Sequence, residues 1–291
     1  MDKGVKDSTD KTLRVIVPDW QGGNNPLYTL GANLLAFLAP ENANQETVTV
    51  KTQPVDAPVQ QQNGVNAQAE LKEYISEFSD LLAQKQPSKV ITFGGSCLVS
   101  QAPFDYLSGK YGDKLGVIWI DTHPDVTTPQ YFFNEHAMVL GNLLQAGDPE
   151  VASLVKNPLT AKQILYVGLQ PLLENEVQEL ARLGIDYQVQ DQQMLSVEQI
   201  KAWVEQNGFT HLAVHLDLDV LSPVLFQDVY FAEPGRKDFP ASAGKMSPAY
   251  LQEVMSELQD NYSLVGLTIA EYLPWGAQYI NQLFAKLNIF K

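Results

Sequence analysis

Short apolar runs alternate with longer amphipathic ones along most of the chain. Eight runs have the length and the Val, Ile and Leu content of β-strands: 13–17, 47–51, 89–93, 115–120, 163–168, 186–190, 211–216 and 264–270. Most are continuously apolar, the pattern of strands buried on both faces of a parallel sheet. Between them, 66–85 places Leu71, Tyr74, Ile75, Phe78 and Leu82 at helical spacings. Ser196-Val197-Glu198-Gln199 has the form of a capping box and predicts a helix over 197–206, and Ser247-Pro248 predicts another with proline in its first turn. The alternation predicts a three-layer α/β/α fold on a mostly parallel, eight-stranded sheet, with one domain spanning 1–291. Two stretches break the pattern. Residues 53–68, rich in Gln, Asn, Pro and Val, read as a surface loop, and 222–247 reads as a long loop carrying Phe226, Tyr230, Phe231 and Phe239.

Composition narrows the class. With 45% hydrophobic and 18% charged residues the chain is neither disordered nor fibrous. A chain of 291 residues buries roughly three quarters of its unfolded surface, so folding needs no disulfide or structural metal. The single cysteine, Cys97, excludes an intrachain disulfide and suits a reducing, cytoplasmic setting. A net charge of −15 repels phosphate backbones and anionic lipid, so the expected partner is a small cationic or neutral molecule, not nucleic acid or a membrane. No apolar run reaches the ~18 residues of a membrane span. The lead Met1-Asp2-Lys3-Gly4 enters a polar stretch without the apolar core of a signal peptide.

Ligands of open parallel sheets bind outside the carboxyl ends of the strands, and the polar residues gather there. Gly94-Gly95-Ser96-Cys97 follows one run and Asp121-Thr122-His123-Pro124-Asp125 another; a third leads into Asp217-Leu218-Asp219, and the last ends at Glu271. Asp121, His123 and Asp125 alternate and so share a face in an extended segment, as do Asp217 and Asp219. Four carboxylates and an imidazole converging in this way repel one another unless a cation neutralises them. The set suits Mn²⁺ and accommodates Zn²⁺, Co²⁺, Ni²⁺ or Fe²⁺. Bridging carboxylates fit two ions ~3.5–4 Å apart around one water. Alone, each Asp-x-Asp or Asp-x-His is equally an ordinary loop or cap. Together, at equivalent strand ends, they point to a metal.

These segments carry a family resemblance. In order along the chain, Gly94–Cys97, Asp121–Asp125, Asp217-Leu218-Asp219-Val220-Leu221-Ser222-Pro223 and Gly266-Leu267-Thr268-Ile269-Ala270-Glu271 resemble the motifs of the ureohydrolase superfamily of arginase, agmatinase and formimidoylglutamase. Trp20-Gln21-Gly22-Gly23-Asn24-Asn25-Pro26 adds a weaker match. The resemblance implies an arginase/deacetylase-like fold and a hydrolase in which hydroxide held between two Mn²⁺ attacks a linear guanidino, amidino or formimidoyl carbon. It implies that Asp121 and Asp217 bridge the ions, that His123 and Asp219 complete one site, and that Asp125 belongs to the other. It further implies proton transfer by His136, cation binding by Glu271, and a homo-oligomer, trimeric or hexameric.

The pattern also breaks. The family sequence Gly-Gly-Asp-His-Ser supplies a histidine ligand and the acid that orients it; here those positions are Cys97 and Ser96. Three readings stay open: a thiolate ligand favouring Zn²⁺ or Fe²⁺, a single-metal centre, or a non-catalytic relative. His215, on one strand face with Asp217 and Asp219, extends toward the altered site and is a candidate replacement ligand; the alternative is a core histidine hydrogen-bonded to backbone. His211 falls at the wrong end of that strand. Where arginases grip the α-amino and α-carboxylate groups of their substrate, this chain offers Glu176 and Thr127, with Leu173 at a position expected to be acidic, which argues against L-arginine. Phe132, Phe133, Phe226, Tyr230 and Phe231 suggest an aromatic wall. The competing functions are a pseudoenzyme that binds a metabolite or partner, and a mononuclear, deacetylase-like amide hydrolase.

Overall fold

The computed structural model describes residues 11–290, so the Met1–Gly4 lead lies outside the described residues. The strands are β1 (Thr12–Val17), β2 (Glu46–Thr49), β3 (Gln61–Gln62), β4 (Val65–Asn66), β5 (Lys89–Gly94), β6 (Leu115–Ile120), β7 (Ile164–Val167), β8 (His211–Asp217) and β9 (Ser263–Ala270). Seven of them form one sheet in the order β2-β1-β5-β9-β8-β6-β7, every pair parallel. The remaining pair, β3 and β4, makes a small antiparallel hairpin within the stretch read as loop. The helices are α1 (Leu27–Leu38), α2 (Gln68–Lys85), α3 (Gln101–Tyr111), α4 (Val139–Leu143), α5 (Pro149–Ala152), α6 (Glu174–Leu183), α7 (Val197–Asn207), α8 (Pro248–Asn261) and α9 (Trp275–Lys286).

Alternation along each strand builds the three layers. Val117, Trp119 and Ala213 join the core under α2, α3 and α6, whereas their neighbours Ile118, Ile120, Leu212 and Val214 join a second core under α7 and α8. All six residues of β6 are buried, which accounts for its unbroken apolar run. The spaced positions of α2 are Leu71, Tyr74, Ile75, Phe78 and Leu82, all buried; each such large apolar side chain contributes roughly 1.5–3 kcal/mol. Ser196 and Gln199 cap α7 reciprocally, and Ser247 caps α8 ahead of Pro248. The long loop is pinned at its base, where Leu221 pairs with Met246.

One expected strand is missing. Residues 186–190 stay outside the sheet, which among the described residues has seven strands and not eight. The reason is Gln190, whose side-chain amide occupies the outer edge of β7: Nε2 donates to the Tyr166 carbonyl (3.1 Å), while Oε1 accepts from Gly168 N (3.0 Å) and Leu195 N (3.1 Å). A side chain satisfies the edge groups that a further strand would have paired.

Candidate metal centre

The strands β5, β9, β8 and β6 are consecutive in the sheet and parallel, so their carboxyl ends form one rim. The chain reverses its direction of travel across the sheet at β7, so the connections that leave the neighbours β6 and β8 run opposite ways, which is where open α/β sheets leave a crevice. The register sets the rim's level: Ile120 pairs with Leu216 and Asp217 with Ala270, so Asp121, Asp217 and Glu271 emerge side by side. Gly95 ties the rim together. Its N–H donates to Val17 O (3.0 Å) and its carbonyl accepts from Glu271 N (2.8 Å). A Cβ there would come within 1.8 Å of the Asp19 carbonyl, so only glycine fits. Asp125 and Glu271 hold left-handed backbone, φ 52° and 62°. Strain of this kind is of order 1–3 kcal/mol and persists where surrounding structure enforces it.

The side chains form overlapping groups of ligand atoms, each group lying within 4.8 Å: Asp121, His123 and Asp219; Asp217, Asp219 and Glu271; Cys97, Asp121, Asp125 and His215; Cys97, His136 and Glu271. His123 Nδ1 is 3.2 Å from Asp219 Oδ2 and 3.7 Å from Asp121 Oδ1. The Cys97 thiol donates to Asp217 Oδ2 (2.9 Å) and Glu271 Oε1 (3.4 Å). Glu271 is gripped from its other sides by Tyr28, whose hydroxyl donates to Oε2 (2.7 Å), and by His136 Nδ1, 2.7 Å from Oε1. Phe231 lies beside His123 and Phe132 beside His136, ring centroids 5.7 and 6.1 Å apart. Of the aromatic residues named from the sequence, these two lie beside the rim histidines.

So much buried charge is costly. Burial and then mutual repulsion push Asp121, Asp125 and Asp217 well above the ordinary carboxylate range. Burial would lower His123, but the Asp219 and Asp121 charges outweigh it and raise it to about 10. Burial likewise opposes a charge on His136, and Glu271 reverses the balance upward. Burial brings His215 down to about 3, leaving a neutral ring. The Cys97 thiol is pushed well up by burial and by Asp217, so it is protonated beside these carboxylates. Among the described residues, Asp125 Oδ2, Asp219 Oδ1, His123 Nε2 and His215 Nε2 are buried without hydrogen-bond partners. A cluster of protonation-prone carboxylates with unsatisfied lone pairs fits divalent cations.

A model of the arginase family matches residues 38–278. The chain belongs to the arginase family. It is 24% identical over 195 residues to an arginase of Entamoeba histolytica, covering 65% of this chain and 64% of that protein. It is 23% identical over 252 residues to arginase 2, chloroplastic/mitochondrial, of Arabidopsis thaliana, covering 80% and 65%. The matches thus span just under two thirds of those relatives' own length. In three dimensions it superimposes on the E. histolytica arginase solved with L-ornithine (TM-score 0.75, 20% identity, 94% of this chain and 97% of that one). It also superimposes on the formimidoylglutamase of Bacillus subtilis (TM-score 0.63, 12% identity, 92% and 81%). At these identities the superpositions speak for the three-layer fold.

Within this arginase-family fold the sequence-derived residues fall into two sets. Asp121, His123, Asp125, Asp217, Asp219, Cys97 and His215 converge, with His136 and Glu271 alongside. His211 stacks on Tyr111 at the far end of β8. Glu176 accepts from Leu173 N (2.7 Å), capping α6, and Thr127 accepts from Asn175 Nδ2 (3.0 Å). Both side chains therefore brace the start of α6, although Glu176 lies close enough to feel the charges of His123 and Asp121. Ser96 Oγ donates to Asp19 Oδ2 (2.5 Å), and Asp19 Oδ1 accepts from the Gln21 and Gly22 amides. Sequence reasoning overlooked Tyr28, Asp19, Ser100 and Trp119. The Trp20–Pro26 match lies between Asp19 and Tyr28 and includes neither.

Proposed function

We propose that this chain is a metal-dependent hydrolase that cleaves a C–N bond in a linear guanidino, amidino or formimidoyl compound. The carrying observation is the rim itself, where carboxylates and imidazoles with unpartnered atoms converge at the carboxyl ends of adjacent parallel strands. Asp121 and Asp217 would bridge two ions; His123 and Asp219 would hold the outer one, and Asp125 the inner one. Mn²⁺ is the expected metal, and when bound the ions would supply Lewis acidity and an activated water.

The remaining work falls to the chain's own groups. Glu271, buried and fixed by Tyr28 and His136, would pair with the cationic amidine. His136 contacts Glu271 Oε1 through Nδ1, and its other ring nitrogen, Nε2, would pass a proton to the leaving amine. Phe132 and Phe231 flank the two histidines and would exclude water from the reacting carbon. Glu176 and Thr127 would border the outer part of the substrate. Because Leu173 contributes no acid, the substrate proposed is an amidine without an α-amino-acid head.

The test is elemental analysis after expression with Mn²⁺, followed by urea and ammonia release across a panel of guanidines, amidines and formimidoyl compounds. Bound metal with release from one class is the expected result. Metal-free protein whose melting temperature ignores Mn²⁺ would instead favour the binding-protein reading, which the contact between the protonated Cys97 thiol and Asp217 supports.

A further inference from the structure

On β8 the positions 213, 215 and 217 share the face toward α2 and α3; alternation at that spacing would ordinarily place apolar side chains at all of them. His215 is fully buried there, and its surroundings define how its ring stands. Its register partner on β6 is Trp119, and the two rings stack at 3.8 Å and 16°. Nδ1 lies 2.8 Å from Ser100 Oγ, at the end of the turn that Cys97 opens. Nε2 is 3.5 Å from Asp121 Oδ2 but makes no hydrogen bond among the described residues. It belongs to the group with Cys97, Asp121 and Asp125, all buried and within 4.8 Å.

A core histidine kept for structure alone would have both ring nitrogens satisfied, most often by backbone. Here only one nitrogen is engaged, and by a side chain. The second is directed into a set of carboxylate oxygens, one of which, Asp125 Oδ2, is likewise unpartnered. When Nδ1–H donates to Ser100 Oγ, Nε2 retains its lone pair. A hydroxyl or carboxylate on the far nitrogen is the usual way a metal-binding imidazole is oriented.

We propose that His215 Nε2 is the imidazole ligand of the inner metal position, with Asp121 and Asp125, so that β8 supplies the nitrogen donor that position 97 lacks. This rests on the reading of the rim as a metal centre. Ser100 and Trp119 are then positioning residues that fix the ring's tautomer and plane. Cys97 is a neighbour whose thiol serves Asp217 and is dispensable for the ion. The inner position takes a borderline divalent cation that accepts imidazole together with carboxylate oxygen.

The test uses the full chain, stripped with chelator and refilled with Cd²⁺. With His123, His136, His211 and His215 as its histidines, the chain gives a ring-nitrogen NMR spectrum that can be assigned residue by residue. The expected result is a Cd²⁺-induced shift, with resolved cadmium coupling, at His215 Nε2 as well as at His123. A His215 ring unchanged by bound Cd²⁺ overturns the assignment while the metalloenzyme reading stands; protein that binds no Cd²⁺, Mn²⁺ or Co²⁺ overturns both. Co²⁺ titration of His215→Asn adds a second readout. The inner ion is expected to weaken by at least about tenfold, with the outer one retained, whereas His211→Asn, at the far end of β8, keeps both within about threefold. Equal binding by wild type and His215→Asn counts against the proposal. The wild-type spectrum decides the matter even if that variant does not fold.

Discussion

The two halves of the rim share Asp121 and differ in almost everything else. The outer half, His123 with Asp219, is built from two short motifs and leaves the His123 side chain 24% exposed. The inner half, Cys97 with Asp125 and His215, is buried throughout and draws on elements distant in the chain. The outer half has the residue types that the resemblance implies, whereas in the inner half Cys97, in the turn after β5, stands where the resemblance implies a histidine. One shared carboxylate, Asp121, thus faces two flanks of different composition, one polar and partly open, the other buried.

The largest effect is expected from Asp121→Asn. Because both halves use this carboxylate, the variant should lose metal content and hydrolysis together, falling to background in elemental analysis and in urea or ammonia release. Retention of one ion per chain would show that the halves are independent. The next tests the inner flank. Restoring the family acid with Ser96→Asp sets a second carboxylate against the buried Asp19 Oδ2. Since an uncompensated buried charge costs about 3–5 kcal/mol, a clear drop in melting temperature is expected. Cys97→His alone, without the acid, is therefore the cleaner reconstruction.

The metal-free protein should also report on the comparison through pH. His123, raised to about 10 from an unfolded value of 6.5, keeps its proton longer when folded. Its contribution is complete below pH 6.5 and is lost as pH rises through 10. The raised carboxyls Asp121, Asp125 and Asp217 act in the same direction, binding protons in the folded state over a range where the unfolded chain has lost them. His215 acts oppositely: lowered to about 3, it adds stability as pH rises from 3 to 6.5. The apo protein is thus expected to lose stability between pH 6.5 and 10, and bound Mn²⁺ should flatten that loss. Melting curves with and without metal check this, and identical curves would contradict the charge assignment. The smallest effect is expected from Tyr28→Phe, which removes one donor from Glu271 and leaves His136 in place. It should cost about 1 kcal/mol in stability and shift the pH profile of turnover without abolishing it.

What the sequence made legible follows from the range of the interactions. The periodicity of β6 and α2 is local, and so are Asp121-x-His123-x-Asp125 and Asp217-x-Asp219; each was readable at its own spacing. The Tyr28–Glu271 bond spans 243 positions and Ser100–His215 spans 115, and no short-range pattern announces either. The false strand at 186–190 is instructive in another way. Tyr187 and Val189 alternate with polar residues as a half-buried strand would, but both remain substantially exposed. Periodicity proposes a strand; the availability of an unpaired edge decides it, and Gln190 had already taken that edge.

That amide has a consequence beyond the fold. An edge strand with open donors and acceptors is a template onto which another chain can grow a ribbon, the first step toward fibrous aggregates. On β7 the outward Tyr166 carbonyl and Gly168 amide are held by Gln190. At the opposite margin β2 is four residues long, and its first residue, Glu46, is ion-paired with Lys85 and Lys11. Both margins of a strongly apolar sheet are thus guarded against intermolecular growth, one by an uncharged side chain and the other by brevity and charge.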